Sequence, residues 1–332
     1  MSDVVWLSVT SYCSEFGIIV SFLNNSIILL LLCRKKSKRL GSYKFLIATF
    51  SLSGMFYSVV EWFMRPLIHI YDDTTIIMQR KRFDYSRGIA RGLFTTYCGC
   101  FATSFTLFAV HFIYRYLAVC NPKKLEYFKG FRFLYWLFGV LVTVVSWAML
   151  SFFCFPESER TMKSFREVVT RFYNLNVNET DYLPCIFWMF DGDKEVLIPI
   201  NMYGLVQHVV VMCISFSIVF YCGVHTAERM KTMTTVSERT RALQKQLFTA
   251  LVVQTIIPTF FMYLPTAMIL LFPLLKVNIG AYGNITIISA HLYPAIDPLV
   301  LILLISDFRN AVGEALCCFI KLRETNRSST AK

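Results

Sequence analysis

The chain has 332 residues, 56% hydrophobic and 16% aromatic, with mean hydropathy +0.54 and a formal charge of +12. So apolar a chain would be hard to keep dispersed in water, which excludes an ordinary soluble domain and points to a membrane protein. The positive charge falls on alternate connections between apolar stretches, where it faces an anionic leaflet, so it requires no nucleic-acid partner.

A helix crosses a bilayer with about 20 mostly apolar residues. Seven stretches qualify: 12–33, 45–64, 92–119, 133–155, 196–223, 247–272 and 283–305. The first, third and fifth connections and the tail, counting Arg115 at the inner end of the third span, carry 21 Lys and Arg against 6 Asp and Glu, whereas the opposite side, counting Glu15, carries 12 against 13. The basic side is therefore cytoplasmic and the N-terminus outside. The expected fold is an all-α seven-transmembrane bundle, with 1–320 as one receptor domain and 321–332 as a flexible cytoplasmic tail. Residues 1–10 lack the basic start of a cleavable signal, so the first span is expected to insert by itself.

Taken in chain order, the spans hold several residues that a bilayer does not tolerate idly. Asn24 and Asn25 lie in the first. Glu61 lies in the outer third of the second, with Arg65 and His69 following at four and eight residues, so all three are expected to share one helix face. They read as an ion pair of Glu61 with Arg65, or as the polar wall of a ligand pocket open to the outside. The third span carries Phe94, Tyr97, Phe101, Ser104, Phe108, His111 and Arg115 at helical spacing, a stripe that ends at the cytoplasmic face. Such stripes also serve plain packing, and a terminal Arg also snorkels.

The outer connection 156–195 is the longest. It contains the sequon Asn178-Glu179-Thr180, a candidate glycosylation site, and Cys185, a candidate disulfide partner for Cys98. The connection 224–245 is too short for a folded domain but long enough to be a docking surface. In the sixth span Pro258 and Pro265 imply a bend, with Phe260, Phe261 and Tyr263 between them. Asp297 in the seventh is flanked by Pro294 and Pro298, a kinked polar joint whose carboxylate Asn24 or Asn25 can meet. This joint suits a receptor helix that moves and equally an ion site in a transporter. Residues 306–315 read as an interfacial amphipathic segment followed by Cys317 and Cys318, which are either palmitoylated or plain interfacial thiols. No metal-ligand spacing and no enzyme motif occurs, and the loops are too short for a catalytic domain, so neither a metal, a cofactor nor an enzymatic activity is expected.

A set of strings then stands in order along almost the whole chain. They are Lys38-Arg39-Leu40-Gly41-Ser42-Tyr43-Lys44, Tyr57-Ser58 with Glu61, Pro66 and His69, Tyr97-Cys98-Gly99-Cys100-Phe101, and His111-Phe112-Ile113-Tyr114-Arg115-Tyr116. Leu243-Gln244-Lys245-Gln246-Leu247-Phe248, Gln254-Thr255-Ile256-Ile257-Pro258, Tyr293-Pro294 and Asp297-Pro298 follow. Together they resemble the nematode serpentine chemoreceptors of the Str class, also called class r. The resemblance implies a G-protein-coupled chemosensory receptor in the plasma membrane, at the cilium of a sensory neuron. Its expected partners are a small odorant or other environmental chemical, a heterotrimeric G protein and membrane lipid.

Tyr114-Arg115-Tyr116 looks like the Asp-Arg-Tyr motif of rhodopsin-like receptors with Tyr in place of the acid. Asp297-Pro298 looks like their seventh-helix motif. The implied ligand pocket takes Phe94, Tyr97, Phe101, Phe260, Phe261 and Tyr263, with Glu61 and His69 as polar neighbours. Coupling falls to Arg115, Tyr116, Asp297, Pro298 and Pro258. A ligand-gated channel or transporter is the rival; seven spans do not divide into two equal repeats, and the outside N-terminus argues against the insect type of odorant channel.

Overall fold

The computed structural model describes residues 4–34, 40–83, 85–232, 237–315 and 317–318. Its helices are α1 (Val4–Cys33), α2 (Tyr43–Met64), α3 (Arg87–Cys120), α4 (Arg132–Phe153), the short α5 (Glu159–Glu167), α6 (Pro199–Lys231), α7 (Glu238–Pro258), α8 (Leu264–Leu275) and α9 (Asn284–Leu304). Seven spans result, because α7, a wide π turn at Thr259–Tyr263 and α8 form one continuous crossing. α1, α3 and α6 have 30, 34 and 33 residues, more than a bilayer needs, and so project beyond the apolar runs that predict them. The expected flexible tail, 321–332, lies outside the described residues.

α2 stops sooner than its pattern suggests. Pro66 disfavours helical backbone at the residue before it, and Arg65 turns into the left-handed region at φ 47°. Glu61, Arg65 and His69 therefore do not share a helix face: His69 lies on the strand that follows.

The all-α expectation describes the membrane part; the outer end carries two sheets in addition. Strands β1 (Pro66–Tyr71), β2 (Thr74–Arg80) and β3 (Thr180–Ile186) form an antiparallel sheet in that order. Strands β4 (Trp188–Asp191) and β5 (Lys194–Leu197) make a separate hairpin. In the main sheet Ile77 stands opposite Ile68 and Leu183, and Thr75 opposite Ile70 and Cys185. This face looks into the bundle, where Ile68 and Ile70 pack on Ile269 of α8 and Ile287 of α9. The other face carries Leu67, Ile76, Met78 and Tyr182, packed under Phe165 of α5 and Val168, Val169 and Tyr173. The sheet is thus a roof, buried on both sides, between an outer layer built on α5 and the helices beneath.

Inside the bundle, α1 lies along α9 and α2, while α3 runs between α2, α4 and α6. At Gly17 a Cβ would come within 2.6 Å of the His291 carbonyl oxygen, so only glycine admits this approach of α1 to α9. Pro298 has no N–H for the carbonyl four residues back, which strands the Pro294 oxygen. Asn25 Nδ2 donates to that oxygen at 3.1 Å, and Asn24 Nδ2 donates to the Ala295 carbonyl at 2.8 Å. The two asparagines therefore repair the kinked backbone of α9 and do not meet the Asp297 carboxylate.

Candidate functional site

Beneath the roof lies a cavity of about 890 Å³ of non-atom space, its mouth included. Its walls are Tyr97, Cys98 and Phe101 of α3, Trp147 and Ser151 of α4, His208 of α6, Met262, Ile269 of α8 and Ile287 of α9, with Leu183, Pro184 and Cys185 above. No Asp, Glu, Lys or Arg is among the lining residues. The polar pole is His208. Its Nδ1 lies 2.5 Å from the Gly204 carbonyl, so that nitrogen carries a proton, and its Nε2 lies 3.0 Å from Ser151 Oγ. The Trp147 ring meets the imidazole edge-on at a centroid distance of 4.0 Å.

Of the residues expected to line a pocket, Tyr97 and Phe101 do so. Phe94 lies in an adjoining recess with Arg91 and Glu157, which shares Cys98, Ser151, Phe155, Leu183 and Pro184 with the cavity. Tyr263 stands behind the wall, its hydroxyl donating to Ser104 Oγ at 2.8 Å and its ring edge-on to Phe101 at 5.5 Å. Phe260 and Phe261 do not contribute: they are 62% and 61% exposed on the outside of the bundle. The cause is the π turn that follows Pro258. Its wider winding turns the helix, so that Met262 and Tyr263 face inward instead. His69 is buried in the roof, with Nδ1 3.2 Å from the Tyr173 hydroxyl, and does not line the cavity.

Cys98 and Cys185 both face the cavity, one from the wall and one from the roof, and both are free thiols rather than a disulfide. Cys185 is fixed by the β3 ladder opposite Thr75 and Cys98 by α3, so their backbones are set by different elements. Burial pushes the Cys185 thiol well above its ordinary range, which makes it inert.

Glu61 pairs with a residue that sequence reasoning passed over. Its Oε1 lies 2.5 Å from His291 Nδ1 on α9, and both side chains are almost fully buried. Tyr57 donates to the same oxygen at 3.2 Å and stacks on Tyr97 at 5.7 Å. Arg65, the expected partner, instead donates to Ser11 Oγ at 2.8 Å. A second, smaller cavity of about 370 Å³ lies deeper, lined by Ser53, Tyr57, Thr103, Ser104, Tyr293 and Pro294. Phe101 and Met262 border both cavities and separate them. His208 and His291 carried a usable signal, since each is an ionisable side chain inside an apolar span.

Further in, Gln254 Nε2 donates to Asp297 Oδ2 at 2.7 Å, tying the kink of α9 to α7 one turn before Pro258. At the cytoplasmic end Arg115 is only 1% exposed. Its Nη1 donates to Gln244 Oε1 on α7 at 2.7 Å, and its guanidinium lies 3.6 Å from the centre of the Tyr43 ring on α2. Nε and Nη2 have no hydrogen-bond partner among the described residues. Tyr116 packs beside Tyr221 and His225 of α6. A recess of about 1060 Å³ opens between the ends of α6 and α7, lined by Met230, Lys231, Arg241, Lys245 and Phe248 among others. Asn178 is exposed on the outer side. Residues 306–315 are helical, and the exposed Cys317 and Cys318 follow them.

Residues 10–313 match the family model described as serpentine type seven-transmembrane GPCR chemoreceptor Str. Serpentine receptor class r-10 of Caenorhabditis elegans is 39% identical over 331 residues, covering 99% of this chain and 97% of the relative. Its namesake in Caenorhabditis briggsae is 38% identical, covering 96% and 93%. G-protein coupled receptor str-33 of Caenorhabditis elegans is 27% identical, covering 91% and 89%. Among solved structures, squid rhodopsin superposes with a TM-score of 0.62 over 96% of this chain and 87% of its own, at 12% identity, a likeness of fold alone.

Proposed function

The chain belongs to the Str family of serpentine seven-transmembrane chemoreceptors, multi-pass membrane receptors of G-protein-coupled type, and from that premise we propose that it binds a small, uncharged, mostly apolar chemical in the cavity beneath the roof and activates a heterotrimeric G protein. The observation that carries this reading is the cavity itself. Its aromatic and aliphatic walls with a few polar groups, His208, Ser151, Thr266 and Thr286, have the make-up of a small-molecule site. The absence of charge from the lining disfavours ions and charged ligands, because a buried charge without a partner is costly.

Binding shifts an equilibrium between two helix arrangements and need not create a new one. A ligand touching Tyr97, Phe101 and Met262 bears on α3 and on the π turn beside Pro258. From there Tyr57, Glu61 and His291 lead to α9 above its kink at Pro294 and Pro298, and Gln254 with Asp297 joins the two bent helices. In the active arrangement the inner end of α7 withdraws Gln244 from Arg115. Arg115, Tyr116 and the recess between α6 and α7 then receive a segment of the Gα subunit. The membrane is that of a sensory cilium, in keeping with the resemblance to nematode chemoreceptors.

Calcium imaging tests this in cells expressing the chain with a nematode Gα subunit, challenged by a panel of volatile and soluble chemicals. The expected result is a response that disappears without the Gα subunit and with Arg115→Ala at equal surface level. A response indifferent to both would refute coupling and favour a ligand-gated channel.

A further inference from the structure

At the outer end, three arginines gather on one face of α1, where a single carboxylate stands among the described residues. That carboxylate, Glu15, is already engaged. Its Oε1 lies 2.5 Å from Arg82 Nη2, and its Oε2 accepts the Trp62 indole N–H at 2.8 Å. The Arg82 guanidinium in turn lies 3.8 Å from the centre of the Trp62 ring.

Arg65 and Arg80 have no carboxylate partner among the described residues. Both converge on one hydroxyl: Arg65 Nη2 donates to Ser11 Oγ at 2.8 Å, and Arg80 Nη2 donates to the same oxygen at 3.2 Å. The two nitrogens are therefore no more than about 6 Å apart, with one neutral oxygen between them. Arg80 also donates to the Leu7 carbonyl at 3.2 Å and to Thr10 Oγ1 at 3.2 Å. The Nε of each arginine is buried without a hydrogen-bond partner. Hydroxyl and carbonyl groups satisfy N–H bonds but leave two like charges uncancelled at a range where repulsion is substantial.

The cost shows in Arg80, which burial first and Arg65 second push down to about 9. Burial first and Arg82 second lower Arg65 as well, against a smaller opposing pull from the Glu15 carboxylate that Arg82 already holds. Neither side chain can easily swing away. Arg65 is the left-handed residue that ends α2, and Arg80 closes β2 in the middle of the sheet. Ser11 precedes the apolar run of the first span, which puts the pair at the level where phosphate groups of the outer leaflet lie.

We propose that Arg65 and Arg80 form a binding site for a phosphate oxyanion at the outer seam of α1, α2 and the roof. Planar guanidinium groups suit phosphate oxygens, and an anion here cancels the imbalance. The phosphate belongs to a lipid headgroup or is free in solution.

The test uses the full chain purified in dodecyl maltoside, followed by thermal unfolding at constant ionic strength. The probes are inorganic phosphate, dihexanoyl-phosphatidylglycerol and, as the phosphate-free control, dihexanoylglycerol. We expect a saturable rise in Tm with a phosphate-bearing probe and none with the control. Arg80→Gln and Arg65→Gln should each weaken the apparent affinity about tenfold or more, while Arg166→Gln, an exposed arginine on the same side, leaves it unchanged. Saturation by inorganic phosphate identifies a free-anion site, and saturation by the lipid alone identifies a headgroup site. Without any probe, Arg80→Gln should unfold at or above the wild-type temperature, because it removes one of two repelling charges. No saturable rise, or an equal rise in both glutamine variants, would overturn the proposal.

Discussion

Replacing Gln244 by glutamate should silence the receptor in proportion to the strength it adds to one bond. In the structure Arg115 Nη1 donates to a neutral amide oxygen at 2.7 Å, while Nε and Nη2 are buried and open. A neutral hydrogen bond contributes about 1 kcal/mol net, and one to a charged group about 1.5–3 kcal/mol. A carboxylate at position 244 also offers a second oxygen to the fork of Arg115, with Nη2 free to take it. Gln244→Glu should therefore strengthen the α3–α7 tie by roughly 1–2 kcal/mol, which moves the resting-to-active ratio by about 5- to 30-fold. Gln244→Ala removes the tie and shifts the ratio the other way by a similar factor. The assay is basal and ligand-evoked signalling through a co-expressed Gα subunit at matched surface density. Basal signalling should fall in the glutamate variant and rise in the alanine variant. If the glutamate variant signals as well as the wild type, or better, then the Arg115–Gln244 contact does not restrain the inner end of α7.

Four further outcomes follow from the geometry. Glu61→Ala leaves His291 buried beside an apolar gap and should cost about 1–3 kcal/mol in thermal unfolding, whereas adding His291→Leu should recover most of it; strictly additive losses would mean that the two side chains are not coupled. Asn25→Leu strands the Pro294 carbonyl and should cost about 1–3 kcal/mol, and an unchanged Tm would show that the kink repairs itself by other means. Phe260→Ala and Phe261→Ala should leave ligand potency unchanged while Phe101→Ala weakens it, and Asn178→Gln should speed migration on a gel, unchanged migration meaning that the exposed sequon carries no glycan.

The seven crossings could be read directly because the bilayer imposes one strong rule, a long apolar run, and charge asymmetry adds the orientation. The roof could not. Residues 66–71 and 74–80 lie in what reads as a polar outer connection, and their strands lack the apolar–polar alternation that marks a half-buried sheet. Both faces are covered, one by α5 and one by the bundle, so His69 and Gln79 are buried beside Leu67 and Met78. The end of α2 did carry a local signal in Pro66, whereas the wide turn after Pro258 carried none. Proline announces a lost hydrogen bond but not how the helix winds to accommodate it, and that winding decides which of Phe260, Phe261 and Met262 faces the cavity.

At the site, sequence reasoning marked the costly residues but could not name their partners. Glu61, Asn24, Asn25, Asp297 and Arg115 all stand out as polar groups inside apolar spans. Their partners come from helices distant in sequence: His291, the carbonyls of Pro294 and Ala295, Gln254 and Gln244. These ties have a common direction. Each ends on α9 or α7, the two crossings bent by proline; all begin on α1, α2 or α3 except Gln254 with Asp297, which joins the two bent crossings to each other. α4 and α6 instead meet through Ser151 and His208, at the cavity itself. Ser58 with Ser21 and His111 with Tyr43 join the straight helices to one another, and the ties above do a different task. They hold the two bent helices against the three straight ones, so a ligand that loosens any one tie acts on the elements whose inner ends, Gln244 and the turns after Leu304, face the cytoplasm. A neutral glutamine at Arg115, where rhodopsin-like receptors pair arginine with an acid, fits that arrangement: a tie of about 1 kcal/mol is weak enough for a small, uncharged ligand to outweigh.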